Sequence, residues 1–442
     1  MKNAKTSGVW GAVAEAAGPY QELASALIKE LEEGLDLLGA MDPAVTFFGG
    51  ARILPDDPYY AAAAAMGERL ADAGIPPRTG AGPGIMAAVP DGFRSRADKN
   101  GASEHGRACH EVGRGPQALT QGFNIVLPFE QAVNPSIDIS MELAHFPTRK
   151  LMLYKNALGL VIFPGGFGTL DELLEVWRLK VSGDLNFPVV LFGTSFWKPL
   201  GAALRAMASV YPSAAIAEEI YGLVSLTDDP DEAIAYITDA EKTRSTVEPL
   251  EKLGSRIARE LVEGLEYLET LAPAVTVLGG SRLQTSDKAI ADAEVLARQL
   301  AVGGVPTRAT VSGQLSVALA RGGHQGDEYL PQQAFGMRRR DARNLYGADR
   351  VHLVNDRLTH KVLLTEGSRA LVALPGGLGT LDELFSVLCQ LQTRKVSSRR
   401  IILLGRTFWT PLLDVIRQQM LDGPRQTISA ADLELLELTD DP

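Results

Sequence analysis

The chain has 442 residues, and 45% apolar with 22% charged side chains is an ordinary globular composition. Its length is about three times the most common domain size, so one compact core is not expected. The 43 basic and 54 acidic side chains give a formal charge of −11, which argues against nucleic acid or an anionic membrane as a partner.

The sequence also bears on the cellular compartment. No apolar run approaches the roughly 18 residues that a membrane helix needs, and the N-terminus lacks the apolar core of a secretion signal. Two cysteines, Cys109 and Cys389, are too few for a disulfide framework. We therefore expect a cytoplasmic protein with no membrane partner.

Motifs along the chain occur twice. PAVTFFGGAR at Pro43–Arg52 returns as PAVTVLGGSR at Pro273–Arg282, an offset of 230 residues. PGGFGTLDEL at Pro164–Leu173 returns as PGGLGTLDEL at Pro375–Leu384, an offset of 211 residues. The fall in offset from 230 to 211 means that the first copy holds 19 additional residues. We interpret the chain as a tandem duplication of one unit.

The boundary between the copies is predicted in the polar stretch Asp239–Glu248, which gives residues 1–243 to copy one and residues 244–442 to copy two. The additional residues of copy one are predicted in Ser95–Gln117, a polar, glycine-rich loop. Copy one continues past its LTDDP motif with DEAIAYI, whereas the sequence ends at that motif in copy two. We therefore expect the last helix of copy two to lie outside this chain.

The predicted loop contains His105, Cys109 and His110, three side chains that can bind a metal. Three candidate ligands without a fourth, in an irregular loop, are more typical of coincidence than of a zinc site. We predict neither a metal nor a cofactor.

Short apolar runs alternate with longer helical patterns in both copies. The runs are Val45–Phe48, Asn124–Leu127, Leu160–Phe163 and Val189–Phe192 in copy one, and Val275–Leu278, Val351–Val354, Leu371–Leu374 and Ile401–Leu404 in copy two. Continuous apolar strands with helices between them indicate a parallel sheet covered on both faces. The predicted fold is α/β, with two tandem Rossmann-like, doubly wound domains whose ligands bind beyond the carboxyl ends of the strands.

The first glycine-rich loop is TGAGPGIM, Thr79–Met86. Its glycines permit a close approach to the backbone, and the helix that follows presents free N–H groups to an anion. The loop is neither G-x-G-x-x-G nor a lysine-bearing phosphate loop, so dinucleotide and triphosphate sites are not predicted. A purely structural glycine turn is the alternative.

The second loop, PGGFGTLDE, directly follows a predicted strand. Gly165, Gly166 and Gly168 leave its backbone bare, and the Thr169 hydroxyl with the first helical amides is suited to a phosphate. The alternative is a capping box, T-x-x-E, in which Glu172 satisfies only the start of the helix.

A basic pair precedes the same strand. A helix ending near Leu158 would carry Arg149 and Lys150 towards the edge of the sheet where the two loops lie. A solvated helix face is the alternative interpretation.

Four motifs, GAGPGIM, PFEQAVNP, RKLMLYKNA and PGGFGTLDE, together resemble the LONELY GUY family, which is often labelled lysine decarboxylase-like. The resemblance runs from about Ala44 to Ile237. It implies a Rossmann-like, usually dimeric phosphoribohydrolase that cleaves nucleoside 5′-monophosphates to a free base and ribose 5-phosphate. Cytokinin riboside monophosphates or AMP would be the substrates, in cytokinin activation or purine salvage. Nothing in the sequence resembles the lysine environment of a pyridoxal enzyme.

The resemblance also assigns roles to residues. It implies that Arg149 and Glu172 are catalytic, because a carboxylate beside the sugar stabilises the positive charge of an oxocarbenium-like transition state. Arg149 would either bind phosphate or assist the leaving base. The implied phosphate- and nucleotide-binding residues are Gly82, Gly84, Met86, Lys150, Gly165, Gly166, Gly168 and Thr169. AAVPDG at Ala87–Gly92 departs from the EAANRG-like pattern of the family, which puts the identity of the base in doubt.

Copy two retains only half of these residues. Gly82, Pro83 and Gly84 correspond to Ser312, Gly313 and Gln314, Met86 to Ser316 and Arg149 to His360, while Lys361 and Glu383 persist. Histidine is shorter than arginine and lacks its bidentate fork. We predict that copy two keeps the fold but does not hydrolyse efficiently. It would serve as a built-in partner of copy one in an internal pseudo-dimer. Assembly of this pseudo-dimer into a larger homo-oligomer stays open. The alternative is that His360 substitutes adequately.

Two further functions stay open from the sequence. One is hydrolysis of an unusual nucleotide in a specialised pathway. The other is binding without hydrolysis, as a nucleotide sensor or a carrier of a phosphorylated cofactor such as molybdenum cofactor. The pair of Arg149 and Glu172 distinguishes hydrolysis from binding alone, because a protein that only carries its ligand does not need these two residues.

Overall fold

The computed structural model describes residues 20–99, 118–128, 132–212, 218–240, 249–310, 313–325, 328–337 and 350–442. Most of the predicted loop Ser95–Gln117, with His105, Cys109 and His110, lies outside these ranges, as does most of the predicted boundary Asp239–Glu248. Within the described ranges, no helix has both the length and the apolar character needed to cross a membrane.

Copy one forms a seven-stranded parallel sheet in the order β4-β3-β2-β1-β5-β6-β7. Its strands are β1 Ala44–Phe48, β2 Pro77–Thr79, β3 Gln121–Ile125, β4 Ile139–Leu143, β5 Ala157–Ile162, β6 Val189–Phe192 and β7 Ser225–Thr227. Its helices are α1 Gln21–Ala40, α2 Pro58–Ala73, α3 Ile85–Ala97, α4 Phe146–Tyr154, α5 Phe167–Ser182, α6 Thr194–Val210, a 3-10 turn Glu218–Leu223 and α7 Pro230–Ala240.

Copy two repeats this sheet in the order β13-β12-β9-β8-β14-β15-β16. Its strands are β8 Ala274–Leu278, β9 Thr307–Thr310, a short antiparallel pair β10 His324–Gln325 and β11 Glu328–Tyr329, then β12 Gln333–Met337, β13 Arg350–Val354, β14 Ser368–Ala373, β15 Arg400–Leu404 and β16 Leu436–Thr439. Its helices are α8 Leu250–Glu269, α9 Lys288–Val302, α10 Gly313–Gly323, α11 Arg357–Thr365, α12 Leu378–Gln392, α13 Arg406–Ile416 with a π-helical extension Arg417–Leu421, and α14 Ala430–Leu433.

The predicted α/β fold with two doubly wound parallel sheets is confirmed, and some predicted boundaries are wrong. The helix that carries the basic pair ends at Tyr154 and not near Leu158, because β5 already begins at Ala157. Ser95 lies inside α3 and does not begin a loop. Strand β9 begins 230 residues after β2, whereas β12 begins 212 residues after β3. The additional residues of copy one therefore lie between β2 and β3.

The run predicted at Asn124–Leu127 belongs to a strand that begins earlier, at Gln121. Gln121 is buried, and its side-chain oxygen accepts hydrogen bonds from Nε and Nη2 of Arg78 at 2.9 and 2.8 Å. Burial lowers the pKa of Arg78 to about 9. A hydrophobic pattern misses the start of this strand, because Gln121 is polar and its burial is stabilised by the hydrogen bonds from Arg78.

The two copies share one core across an approximate two-fold relation. Each of α1, α4, α5 and α6 packs against its counterpart in the other copy, α8, α11, α12 and α13. A single hydrophobic cluster includes buried side chains of both copies, and at its centre the Phe167 and Phe385 rings meet edge to face at 5.9 Å. The opposite face of each sheet has its own core. The starts of α5 and α12, where the candidate sites lie, are therefore close to the contact between the copies.

Candidate functional site

Three loops meet at the carboxyl edge of the first sheet. The Gly50 amide donates to the Pro164 carbonyl at 2.9 Å, and the Ile85 amide donates to the Gly50 carbonyl at 3.2 Å. Gly84 has φ +68°, and a Cβ on it would lie 2.2 Å from the Gly50 carbonyl oxygen. Only glycine fits there, so the spacing of the first glycine-rich loop is a steric requirement of this junction.

The first loop brings two of the predicted motifs together. Gly82 is buried in the loop, and Met86 is half-buried in the first turn of α3. Ala81 has φ 58°, a left-handed conformation that is strained for a residue with a Cβ. Its carbonyl accepts a hydrogen bond at 3.0 Å from the amide of Asn134, which belongs to the PFEQAVNP motif.

Arg149 on α4 and Glu172 on α5 form the centre of the site. Arg149 Nη1 lies 3.4 Å from Glu172 Oε1, and Arg149 Nε donates to the Phe123 carbonyl at 3.1 Å. A Cβ on Gly80 would lie 2.2 Å from Arg149 Nη2 and 2.8 Å from the Met86 sulfur. The guanidinium is thus enclosed between the carboxylate and the first glycine-rich loop.

The Glu172 carboxyl titrates in the neutral range. The side chain is 8% exposed, and burial raises its pKa to about 7 although Arg149 acts in the opposite direction. The neighbouring Asp171 carboxylate also contributes to the rise. A carboxyl group with a pKa near the working pH, in a cleft beside a specific cation, is typical of a catalytic acid or base.

Lys150 is directed into an ionic network between the copies. Its ammonium lies 2.8 Å from Asp171 and 2.7 Å from Glu175, and Lys361 of copy two lies 2.7 Å from Glu175 and 2.6 Å from Asp382. Burial opposes the charge on Lys150, but the two carboxylates raise its pKa well above the ordinary value. The three acidic side chains are close enough to share a metal ion, and the two ammonium groups already bind them.

The second loop leads into α5, which begins at Phe167 with Gly166 as its N-cap. The first internal hydrogen bond runs from the Leu170 amide to the Gly166 carbonyl at 3.1 Å. The amides of the first turn, Phe167 to Thr169, are therefore available to a ligand. The capping-box alternative is wrong, because Thr169 lies inside the helix and not at its N-cap.

Copy two packs directly on this loop. Thr427 Oγ1 donates to the Gly165 carbonyl at 3.1 Å, and a Cβ on Gly166 would lie 2.6 Å from the Thr427 carbonyl oxygen. The Arg425 guanidinium donates to the Asp57 carboxylate at 2.6 and 3.2 Å. We call residues 423–429 the covering segment; it fixes the position of the phosphate loop predicted in copy one.

The corresponding position in copy two has a different charge arrangement. His360 Nδ1 lies 3.8 Å from Glu383 Oε1. Arg178, from α5 of copy one, donates to Asp382 at 2.9 Å and to Glu383 at 3.1 Å. Glu383 therefore has an arginine partner, but one supplied by the opposite copy. In the first loop of copy two, Ser312 lies outside the described residues.

Cys389 occupies in copy two the helical position that Arg178 occupies in copy one. Its sulfur lies 3.7 Å from the position of a Cβ on Gly168, and burial raises its pKa. Ile125 and Phe146 of copy one form a small apolar cluster with Cys389. At the site of copy one, the residue that copy two contributes is thus the apolar Cys389. At the site of copy two, the residue that copy one contributes is the cationic Arg178.

The fold and the site define an α/β protein with glycine-rich loops and a buried Arg–Glu pair at the carboxyl edge of a parallel sheet. Residues 99–237 and 291–442 match the protein family described as "Possible lysine decarboxylase", one segment in each copy. Because these segments make up about two thirds of the chain, the chain belongs to this family, the LONELY GUY family of the sequence resemblance.

One curated relative is similar over part of the chain. The cytokinin riboside 5′-monophosphate phosphoribohydrolase of Rhodococcoides fascians is 32% identical over 78 residues, which is 18% of this chain and 39% of that enzyme. The match thus spans less than half the length of the relative.

Two solved structures are also similar. The molybdenum cofactor binding protein from the phototrophic bacterium Rippkaea orientalis aligns with 45% of this chain and 96% of its own, at 18% identity and a TM-score of 0.32. The Moco carrier protein from Chlamydomonas reinhardtii aligns with 46% of this chain and 99% of its own, at 20% identity and a TM-score of 0.31. Similarity at this level of identity concerns the fold and not the ligand.

Sequence reasoning missed the residues that reach a site from the other copy. Arg178, Cys389 and Thr427 lie in no motif, and their contacts depend on how the copies pack. A signal was available on the two otherwise similar helices α5 and α12, where Glu175 corresponds to Ser386 and Arg178 to Cys389. Where the two copies carry different residues at matched positions such as these, the charge around their sites differs.

Proposed function

We propose that copy one hydrolyses the N-glycosidic bond of nucleoside 5′-monophosphates, releasing a free base and ribose 5-phosphate. Membership of the family supports an enzyme of the phosphoribohydrolase type. The observation that carries the proposal is the buried pair of Arg149 and Glu172, 3.4 Å apart, beside the start of α5.

The 5′-phosphate would bind at the start of α5. The first-turn amides and the Thr169 hydroxyl form an anion site at a helix N-terminus, where the partial positive charge is largest. The covering segment packs against Gly165 and Gly166 and holds the loop in place. Binding the phosphate there aligns the sugar with the carboxylate one helical turn further on.

Glu172 would act on the sugar. As the bond from C1′ to the base breaks, its electron pair leaves with the base, and positive charge develops on the ribose. An ionised Glu172 stabilises that charge and accepts a proton from the water that adds to C1′; transfer of a proton to the departing base then completes the hydrolysis and returns Glu172 to its ionised form. A pKa of about 7 makes the group basic enough to accept this proton and still ionised in mildly alkaline solution.

Arg149 is assigned to the base side of the substrate. Its guanidinium contacts Glu172, the Phe123 carbonyl and the surroundings of Gly80 and Met86, which belong to the first loop. From there it can donate a hydrogen bond to the leaving base, while Lys150 positions α4 against α5 through its ion pairs.

The decarboxylase label receives no support from the lysines of the site. A lysine that forms a Schiff base needs a lowered pKa. The carboxylates of Asp171 and Glu175 hold the pKa of Lys150 well above its ordinary value despite its burial, and Lys361 also binds two carboxylates.

A product assay tests the proposal. The full chain would be incubated with AMP, GMP, CMP and an isoprenoid-substituted AMP, with adenosine as a control without phosphate, and free base and ribose 5-phosphate would be measured. We expect equal amounts of both products from at least one monophosphate and none from adenosine. Tight nucleotide binding with no release would overturn the proposal in favour of a sensor or carrier.

A further inference from the structure

A cavity of about 290 Å³ lies between the copies, away from both glycine-rich loops. Copy one contributes Leu23 and Leu27 of α1 and Phe146 at the start of α4, and copy two contributes Val362 of α11 and Ser386 of α12. This volume is at the lower end of the range for small-molecule sites. The two glycine-rich loops, Arg149 and His360 do not line it.

Two positions of the cavity wall carry smaller side chains than the matched positions of copy one. Thr365 and Ser386, which line it, correspond to Tyr154 and Glu175 of copy one. The Tyr154 side chain is 8% exposed, and it lies close enough to Glu175 for that carboxylate to add to the rise that burial causes in the tyrosine pKa. Copy one thus carries two large, buried side chains, Tyr154 and Glu175, at the positions where Thr365 and Ser386 line the cavity.

The cavity wall carries equal numbers of cationic and anionic side chains, and one of each is bound in an ion pair across the copies. Lys361, Lys395, Glu366 and Glu383 are two cations and two anions. Lys361 binds the carboxylates of Glu175 and Asp382 at 2.7 and 2.6 Å, and Glu383 binds Arg178 at 3.1 Å. Because the cations and anions of the wall are equal in number, the cavity offers little net attraction to a phosphate.

The remaining wall is apolar with a few neutral polar groups. Aliphatic side chains and the Phe146 ring supply most of the surface, while Ser386 and Gln390 add a hydroxyl and a carboxamide on one face of α12. Apolar walls with a small number of placed hydrogen-bonding groups are suited to a flat, uncharged ring with polar atoms on its edge.

We propose that this cavity binds a small uncharged heteroaromatic molecule, of the size of a nucleobase or nucleoside, and not a phosphorylated one. The site is additional to the proposed hydrolytic site, and its occupancy does not depend on hydrolysis. The duplication would thus have produced one site for a phosphorylated ligand and another for an uncharged one.

Calorimetric titration of the full chain with adenine and adenosine, with AMP for comparison, tests the proposal. The key variant is Thr365→Tyr, which inserts the side chain that copy one carries at the matched position. Thr410→Tyr, on the exposed surface of α13, is the matched control. We expect saturable binding of adenine or adenosine to the wild type and to Thr410→Tyr, weakened at least tenfold in Thr365→Tyr, with AMP binding unchanged.

Two results would overturn the proposal. One is the absence of saturable binding of either uncharged probe to the wild type, and the other is equal affinity in the wild type and Thr365→Tyr. Filling a void without strain stabilises a protein, so we expect the Tm of Thr365→Tyr to match or exceed that of the wild type. If this variant does not fold, Ser386→Glu inserts the other side chain of copy one into the same cavity, and equal affinity in that variant would overturn the proposal too.

Discussion

At the level of single residues, Glu172 differs from an ordinary carboxylate because it is buried. Its pKa is about 7 in the folded protein against an ordinary value of 4.5, so the folded state binds more protons than the unfolded state between these values. Stability therefore falls as pH rises through this window. The raised pKa of this buried group therefore makes the fold less stable above pH 7, where the carboxylate is ionised.

Glu172→Gln tests this linkage without any substrate. The variant lacks the titrating group, so its free energy of unfolding should exceed that of the wild type by roughly 3 kcal/mol more at pH 8 than at pH 4.5, from about 1.4 kcal/mol per unit of pKa. Chemical denaturation at the two pH values measures the difference. Parallel pH dependence of the two proteins would show that Glu172 titrates normally.

Cys389 is a second residue whose identity matters. Its counterpart Arg178 binds Glu383 in copy two, so Cys389→Arg should place a guanidinium beside Glu172. A new cation lowers the pKa of a neighbouring carboxylate, and we expect the acid limb of the rate profile to move below pH 7 and kcat to fall more than tenfold.

Cys389→Ala controls for loss of the thiol, and it should leave the acid limb of the rate profile in place. An unchanged limb and rate in Cys389→Arg, in a protein that keeps its Tm, would show that the arginine does not reach Glu172.

At the level of elements, the covering segment connects copy two to the phosphate loop of copy one. Its contacts are a side-chain hydrogen bond from Thr427 to Gly165 and an ion pair from Arg425 to Asp57. A loop with three glycines is entropically costly to order, so an external contact that orders it should favour binding more than the chemical step.

Thr427→Val removes this hydroxyl and keeps the volume of the side chain. We expect KM for the nucleotide to rise about three- to tenfold, as for the loss of one hydrogen bond, with kcat within twofold. Thr410→Val is the matched control, because it makes the same change on the exposed surface of α13, outside the covering segment. Equal KM values in the wild type and Thr427→Val would show that the hydrogen bond from the covering segment does not contribute to nucleotide binding.

At the level of the whole molecule, the sequence predicted more of the fold than of the site. The duplication, the parallel sheets and the loops around Gly84 and Gly166 followed from motifs, since glycine spacing and apolar runs are local signals. The strand beginning at Gln121 did not, because the hydrogen bonds that Gln121 accepts from Arg78 form only in the folded protein.

The pairing of the copies determines the rest of the site. Lys150 was predicted to bind the nucleotide and instead lies among carboxylates of both copies, and Arg178 could not be assigned to Glu383 without the packing of α5 against α12. A residue that acts across an interface leaves no pattern in its own segment. Differences between matched positions of the copies were the available clue.

We expect copy one to carry the chemistry and copy two to lack it. Glu172→Gln and Glu383→Gln make the same chemical change at matched positions, so kcat for the best monophosphate should be compared in the two variants and the wild type. We predict a loss of roughly 100-fold or more in Glu172→Gln, the scale of a lost electrostatic stabiliser, and a change within threefold in Glu383→Gln. Comparable losses in both variants would show that both copies contribute to catalysis.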